Sequence, residues 1–557
     1  MQAAERTRSP KDFQRTVARF HLRIATVLDR CASWCDTSPL VLLVPVWLAF
    51  LLSVVSITLH RQLWHDEIFT YLIANAPDLR TLIEWTHIYD LNPPLSHLLV
   101  RASLHLGGHW LPVRLAVRLP FLLAFIACGE MLYLLLRRWT RSTAWATFGL
   151  SLFLWTCYEF AYEARPYALQ ACFLCAALLA YFSLSERPSQ RSRTGWLILL
   201  AASLACGLLS HAFFALLWSA FFLAEVVRSL HRRKLDASLW LALLLPLPAI
   251  LLYKPLFSQH AAAMFPQKFQ PKLFVLGWFY AQFGIWTLLA LVPPIIVLVC
   301  LLGAAAFGPR SGSFETPAGQ HRPMFPLLLT LLCVPAVLIL YLHFTHAAFF
   351  WRYGFVLPFL IAILVPLAFW HLLRGRPAAA LVLLLGIFLQ HGHLAEAARA
   401  LRHPVAAFSV PPRPVCAACR LAAQRFPTLP FVDSNGLTWV EMNLRESNAQ
   451  LQHTWYLHDL DRAERYAHAT LFEGIPAEKT GFHFAAQVDS YEPFVATHPE
   501  FVVYGSRVAP EQWLLRSLAA DGAHLTLVSE VDPSDYGDTQ LWLVQMPAHP
   551  SRTTMKE

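Results

Sequence analysis

The stretch Trp64–Pro94, WHDEIFTYLIANAPDLRTLIEWTHIYDLNPP, carries the decisive signals of this chain. It gathers Asp66, Glu67, Glu84 and Asp90 with His65, His87 and several aromatic residues, just after an apolar run at 39–59. That run is long enough to cross a bilayer. Carboxylates are costly near hydrocarbon, so a cluster of them at a membrane face marks a functional site. Pro77 ends a short helix that begins near Asp66. Pro93-Pro94 opens another, running through Leu95, Leu98, Leu99 and Leu106 to Gly107-Gly108. Both helices are expected to lie along the membrane face.

Outward from this loop, the chain is mostly apolar. Of its 557 residues 56% are hydrophobic and 14% charged, with a mean hydropathy of +0.45. Soluble domains carry roughly 25% charged residues, so an α-helical polytopic membrane protein is expected. Beyond 39–59, runs of spanning length fall near 112–136, 142–158, 166–184, 195–210, 212–228, 238–256, 277–304, 325–343, 354–372 and 378–395. That gives about 11 transmembrane helices. Basic clusters close every second span: Arg137 to Arg141, Arg187 to Arg193, Arg228 to Lys234, Arg310 to Arg322 and Arg374 to Arg376. Positive charge is retained on the cytoplasmic side. Residues 60–111 and the C-terminal part are therefore exterior in a multi-pass protein of the inner (plasma) membrane. A second exterior loop is expected at 257–276.

Residues 1–38 are polar and basic. Phe13, Val17, Phe20, Ile24 and Leu28 recur at helical spacing among Arg15, Arg19, Arg23 and Arg30, which suggests an amphipathic helix on the cytoplasmic leaflet or a frayed tail. The membrane domain is then 39–395. From Glu396 the composition turns acidic, with 19 Asp/Glu to 13 Lys/Arg against a net +9 for the whole chain. An acidic tail on a basic membrane half reflects loop topology and gives no reason to expect nucleic acid as a partner. Short apolar runs at Phe431-Val432, Trp455 to Leu457, Phe501 to Tyr504, Leu525 to Val528 and Leu541 to Val544 alternate with helical segments at 437–447, 460–468 and 510–520. This predicts an exterior α/β domain over 396–557. It has no glycine-rich phosphate loop and no nucleophile elbow. Cys416 and Cys419 are its close cysteine pair. A disulfide or a bystander pair fits them better than zinc, because no second pair follows at zinc spacing.

Asp66 and Glu67 are the candidate catalytic residues. Neighbours on a helix point about 100° apart. One can therefore act while the other holds a metal, an arginine or the helix end; simple decoration of a helix N-terminus is the plainer alternative. Three features fall at the same membrane level: Arg165 within Tyr162-Glu163-Ala164-Arg165-Pro166-Tyr167, His211 between two spans, and Arg352 within Trp351-Arg352-Tyr353. Singly, an arginine there snorkels to headgroups and a histidine is an ordinary capped one. Together with the acids they suit a departing lipid phosphate, which needs positive charge, and an attacking hydroxyl, which needs a base. The donor is then an activated sugar already carried on a lipid.

The Asp66-Glu67 pair after the first span, Asp90 to Leu95 (D-x-N-P-P-L), EARPY, the span-edge His211 and Arg352-Tyr353 resemble the C-type membrane glycosyltransferases. The match is to the family 39 group, relatives of protein O-mannosyltransferases and lipid A aminoarabinose transferases, over about residues 40–370. The resemblance implies a polyprenyl-phosphate-sugar donor, a protein, lipid or glycan acceptor on the exterior face, and inversion at the anomeric carbon. It makes Asp66 the essential acid with Glu67 its partner, and puts Arg165, Arg352 and Tyr353 near the donor phosphate. Asp90 and Glu84 compete as the second acid. Asn92 stands where the family often has His or Lys, and Tyr167 and His211 complete the site candidates. A divalent metal held by Asp66 and Glu67 is the one cofactor implied. Two rival readings are a transporter or flippase of lipid-linked sugars and a non-catalytic membrane scaffold. The first lacks the matched, broken half-repeats usual in transporters. The second leaves Asp66, Arg165 and Arg352 on one face unexplained.

Overall fold

The computed structural model describes residues 10–90, 92–186, 189–251, 270–303, 324–390, 392–410, 416–468, 484–509, 512–530 and 539–547. Residues 257–269 of the loop expected at 257–276 and the Arg310 to Arg322 cluster lie outside them. A long helix α1 (Pro10–Thr37) precedes the first apolar helix, α2 (Leu40–His60). Three short helices follow where the prolines predict breaks: α3 (His65–Ala74), α4 (Leu79–Tyr89) and α5 (Leu95–Gly107). Asp78 caps α4, its Oδ1 accepting the Thr81 amide at 2.8 Å. Then come α6 (Val113–Thr140), α7 (Thr143–Thr156), α8 (Glu159–Tyr162), α9 (Tyr167–Ser185), α10 (Gln190–Ser210) and α11 (Phe214–Arg232). Helices Ala237–Leu244, Phe274–Leu302, Phe325–Phe344, Val356–Leu372, Pro377–Gln390 and Gly392–Arg402 complete the apolar part.

Among the described residues, eight helices are long and apolar enough to cross a membrane. A ninth is counted if Pro377–Gln390 and Leu394–Arg402, bent by 58°, form one span. Eight of the roughly eleven expected runs thus reach spanning length within one described helix. Two of the other runs are helices of 14 residues, α7 and Pro377–Gln390; such a helix is about 21 Å long, short of a hydrocarbon core of about 30 Å. The run at 238–256 starts as Ala237–Leu244 and passes beyond the described residues. The α7 helix reads as a span because nearly every side chain in it is buried against other helices. Apolarity on all sides reports enclosure in protein as well as in lipid.

Packing lets the proline-bearing helix α6 run unbroken. Pro120 lacks the N–H that would bond Ala116 four residues back, and the Ser103 hydroxyl of α5 donates to that carbonyl instead, at 2.6 Å. Phe50, Phe125, Phe153 and Phe359 form a continuous aromatic row through α2, α6, α7 and Val356–Leu372, with centroids 5.4, 4.5 and 6.2 Å apart. At Gly149, a Cβ would come 2.9 Å from the Ala362 carbonyl oxygen, so the missing side chain lets α7 lie close on its neighbour.

Helix α1 does more than its amphipathic pattern predicts. Its Asp36 Oδ1 accepts the Thr143 amide at 2.6 Å, and its Asp29 Oδ1 accepts the Ala378 amide at 3.1 Å. It thus satisfies the open N-termini of α7 and Pro377–Gln390. Asp29 also pairs with Arg376 at 3.3 Å, and Arg137 donates to the Asp36 carbonyl at 3.2 Å. The basic ends 137–141 and 374–376 thereby share one face with α1. Arg193 and Arg228 meet a common Asp236, at 2.6 and 3.7 Å.

The C-terminal part forms one six-stranded sheet: β1 (Phe431–Asp433), β2 (Thr454–His458), β3 (Gln487–Ser490), β4 (Glu500–Gly505), β5 (His524–Glu530) and β6 (Gln540–Gln545), in the order β3-β2-β1-β4-β6-β5. Strands β1 to β4 pair in parallel, while β6 runs antiparallel to β4 and β5. Five strands stand at the expected runs, and β3 is the unforeseen one. The helices lie at Gly436–Arg445, Leu460–Ala467 and Leu514–Ala520, close to the expected segments. Cys416 and Cys419 form a disulfide. Helix Gly392–Arg402 packs on α2 across the boundary expected at 396.

Candidate active site

The loop residues converge with three distant segments near the start of α3. Asp66 lies in the first turn of α3, where the macrodipole favours an anion. Its Oδ2 accepts Arg352 Nη2 at 2.9 Å and lies 3.6 Å from Arg165 Nε. Its Oδ1 lies 3.6 Å from His65 Nε2. Burial pushes the Asp66 carboxyl up, but Arg165, Arg352 and His65 together hold it below the ordinary carboxylate range. The Arg352 guanidinium is fixed between the rings of Trp64 and Phe350, 4.8 and 5.0 Å from their centroids.

Arg165 is shared. Its Nη1 donates to Asp90 Oδ2 at 3.3 Å while its Nε faces Asp66. Burial alone would weaken its charge, yet the two carboxylates overcome that and raise its affinity for the proton. Asp90 follows α4 and is held from both sides. Asn92 gives Oδ1 its amide at 3.2 Å and its side-chain Nδ2 at 2.6 Å, and His97 Nε2 lies 3.2 Å from Oδ2. Burial opposes the Asp90 charge, and Arg165, His97 and Asn92 more than restore it. Of the two competing acids, Asp90 is therefore the one brought to the Asp66 cluster. Glu84 does not: it is exposed and pairs with Arg80 along α4 at 3.1 Å.

The structure corrects the expectation for Glu67. Its carboxylate points away from Asp66 and is fully buried. Arg118 of α6 grips it with both arms, Nε to Oε1 at 2.7 Å and Nη2 to Oε2 at 2.5 Å. The amides of Ala164 and Trp64 donate to it at 2.8 and 3.3 Å. Arg118 also donates to the carbonyls of Thr58, Arg61 and Gln62 at the end of α2. Glu67 therefore joins α2, α3, α6 and the EARPY turn, holding an arginine as one of the alternatives for the acid pair expects. Nor do Asp66 and Glu67 form a metal pair. Among the described residues, no group of three or more His, Cys, Asp or Glu side chains is placed to hold an ion. Asp66 faces Arg165 and Arg352 while Glu67 faces Arg118, so the two carboxylates do not converge on one ion position, and the arginines supply the site's positive charge.

Tyr167, His211, Phe213 and Tyr353 make an aromatic floor, with the His211 ring 5.8 Å from Tyr167 and 6.1 Å from Tyr353. Phe213 and Tyr353 stand 5.0 Å apart. His211 Nδ1 accepts the Phe213 amide at 3.0 Å. Burial, with Arg165 and Arg352 nearby, pushes its pKa down to about 3, so it is neutral. Glu163 lies beside the arginines, 3.6 Å from Arg61, and burial pushes its carboxyl up to about 7.

Arg118, His97 and Glu163 escaped the sequence reading. Arg118 left a signal, since a charge inside an apolar run must find a partner. His97 sits in the first turn of α5, after Pro93-Pro94. Glu163 belongs to the quoted EARPY motif itself.

Residues 92–254 match the family model described as dolichyl-phosphate-mannose-protein mannosyltransferase. The matched segment holds Asn92, Arg165, Tyr167 and His211. Two solved structures are similar over nearly the whole chain, both of ArnT from Cupriavidus metallidurans. The apo structure shows 16% identity over 91% of this chain and 98% of its own, with a TM-score of 0.44. The structure bound to undecaprenyl phosphate shows 15% identity over 92% and 99%, with a TM-score of 0.41. No curated protein matches this chain.

Proposed function

We propose that this chain is a membrane glycosyltransferase that moves a sugar from a polyprenyl-phosphate carrier to an acceptor hydroxyl or phosphate at the face bearing Asp66. The observation that carries this reading is the half-buried Asp66 carboxylate held between the Arg352 and Arg165 guanidiniums. The family description of residues 92–254 supports a lipid-linked donor. A sugar phosphodiester carries one negative charge and leaves as a phosphate monoester with two. Fixed guanidiniums stabilise the charge that develops on the leaving oxygen. The acceptor hydroxyl gives its proton to Asp66 while its oxygen attacks the anomeric carbon from the side opposite the phosphate.

The resting ion pairs have a consequence for this step. With two guanidiniums on it, Asp66 is a weak base. A donor phosphate competes for Arg352 and Arg165, frees the carboxylate and raises its basicity only when donor is bound. Arg165 keeps its anchor on Asp90 throughout. The aromatic floor at Tyr167 and Tyr353 offers ring faces to the donor sugar or the first isoprene unit.

Full-length protein in nanodiscs, offered a panel of labelled polyprenyl-phosphate sugars and envelope extract as acceptor source, tests the reading. The expected result is transfer of label from one donor with release of polyprenyl phosphate. If every donor persists intact and lipid-linked sugar instead crosses the bilayer, the flippase reading replaces this one.

A further inference from the structure

We propose that Glu441, in the helix Gly436–Arg445 beside β1, is a positioning residue for Asp66 that acts through His65. The C-terminal sheet region is then a working part of the site, a conclusion that rests on the glycosyl-transfer reading. His65 stands between two carboxylates: its Nε2 is 3.6 Å from Asp66 Oδ1, and its Nδ1 is 3.8 Å from Glu441 Oε1. The ring is also held edge-on by Trp64, with centroids 4.5 Å apart.

The docking behind this contact is substantial. Helix Gly436–Arg445 packs on α3, and Phe484 inserts beside Ile73, Ala76 and Leu82. Trp439 braces Phe484 at 4.7 Å. Glu441 is buried in this interface. Its charge is felt locally: burial and Glu441 together push the neighbouring Asp433 carboxyl up to about 7.

The two oxygens of Asp66 face different partners. Oδ2 faces the arginines, which the proposed mechanism hands to the donor phosphate, while Oδ1 faces His65. Once the arginines turn to phosphate, His65 is the neighbour that still orients Asp66. A carboxylate facing the far nitrogen of an imidazole favours, through its charge, the ring orientation that turns an N–H toward it. Glu441 supplies that carboxylate from a segment distant in sequence.

The test compares wild type with Glu441→Gln, Glu441→Asp, His65→Gln and the double variant Glu441→Gln/His65→Gln, all as full chains in nanodiscs. With the donor that wild type consumes, Glu441→Gln should lower kcat by about tenfold or more and leave donor KM nearly unchanged. Glu441→Asp should recover part of the loss, and the double variant should lose no more than His65→Gln alone. Wild-type kcat in Glu441→Gln, or fully multiplicative losses in the double variant, overturns the proposal. If wild type consumes no donor, the glycosyl-transfer reading fails separately, and amide hydrogen exchange over residues 65–70 decides the present one. Faster exchange in Glu441→Gln and His65→Gln, with wild-type exchange in Glu441→Asp, supports the link. Unchanged exchange in all variants overturns it.

Discussion

At the scale of single residues, the adjacent acids Asp66 and Glu67 do opposite work. Asp66 faces two guanidiniums in an open arrangement; Glu67 is saturated by four hydrogen bonds. Substituting Glu67 should therefore damage folding more than chemistry. Glu67→Gln leaves Arg118 buried with half its partner, and Arg118→Ala leaves Glu67 buried and unpaired. Breaking such a pair costs about 3–5 kcal/mol. Both variants should show lowered thermal midpoints and poor yield in detergent, and the fraction that folds should turn over near normally. Normal stability with lost turnover would return Glu67 to the reaction. For Arg352, alanine should weaken donor use more than lysine does, because only guanidinium offers a planar fork to phosphate and a flat face to Trp64. Equal donor use by Arg352→Ala, Arg352→Lys and wild type would reduce it to an interfacial residue. Asp66, Asp90, Arg165 and Arg352 were legible in the sequence because charge is rare at a membrane face and each needs a partner. Glu441 was not, since nothing local distinguishes it from other acids of a soluble helix.

At the scale of elements, the start of the helix Gly436–Arg445 carries a pH-sensitive group. Asp433 ends β1 fully buried, its Oδ2 accepting the Thr438 hydroxyl at 2.6 Å and its Oδ1 the Asn435 amide at 2.9 Å. Burial, with Glu441 adding to it, raises the carboxyl from 3.8 to about 7 in the folded state. The folded chain thus keeps a proton that the unfolded chain has lost. Stability from this group is complete below the unfolded value and declines as pH rises toward 7, by at most about 1.4 kcal/mol per pH unit. Thermal unfolding between pH 4 and 7 should show that decline, and Asp433→Asn should flatten it. An unchanged slope in the variant would mean that Asp433 is ionised when folded. Element type was readable wherever the apolar pattern was strong, as at Phe501 to Tyr504 and Leu541 to Val544. Strand β3 (QVDS) has a single apolar residue and gave no pattern; its pairing with β2 makes it a strand. The α7 helix alone is short for a span, yet its start meets Asp36 of α1 and the turn after it meets Glu67, so residues 143–164 join the two faces.

At the scale of the whole molecule, two faces are set by contacts at opposite ends of α6. Arg118 near its start holds the Asp66 loop, and Arg137 near its end meets α1. The 19 residue steps from one to the other rise about 29 Å, the thickness of a hydrocarbon core. In intact cells, a cysteine at Asn75 should react with a membrane-impermeant reagent and one at Ser189 should not. The reverse pattern would invert the topology and move the site to the cytoplasm. The central claim is that Asp66 takes the acceptor proton while Arg165 and Arg352 hold the departing phosphate, and one variant tests it most directly. Asparagine at position 66 keeps the size and most hydrogen bonds of the carboxylate but cannot accept a proton. Donor binding and sugar transfer are to be measured side by side for Asp66→Asn and wild type in nanodiscs. The account predicts that transfer is lost while polyprenyl phosphate binds as well as before, or more tightly, because the arginines no longer have a competing carboxylate. Transfer at the wild-type rate in Asp66→Asn would contradict it.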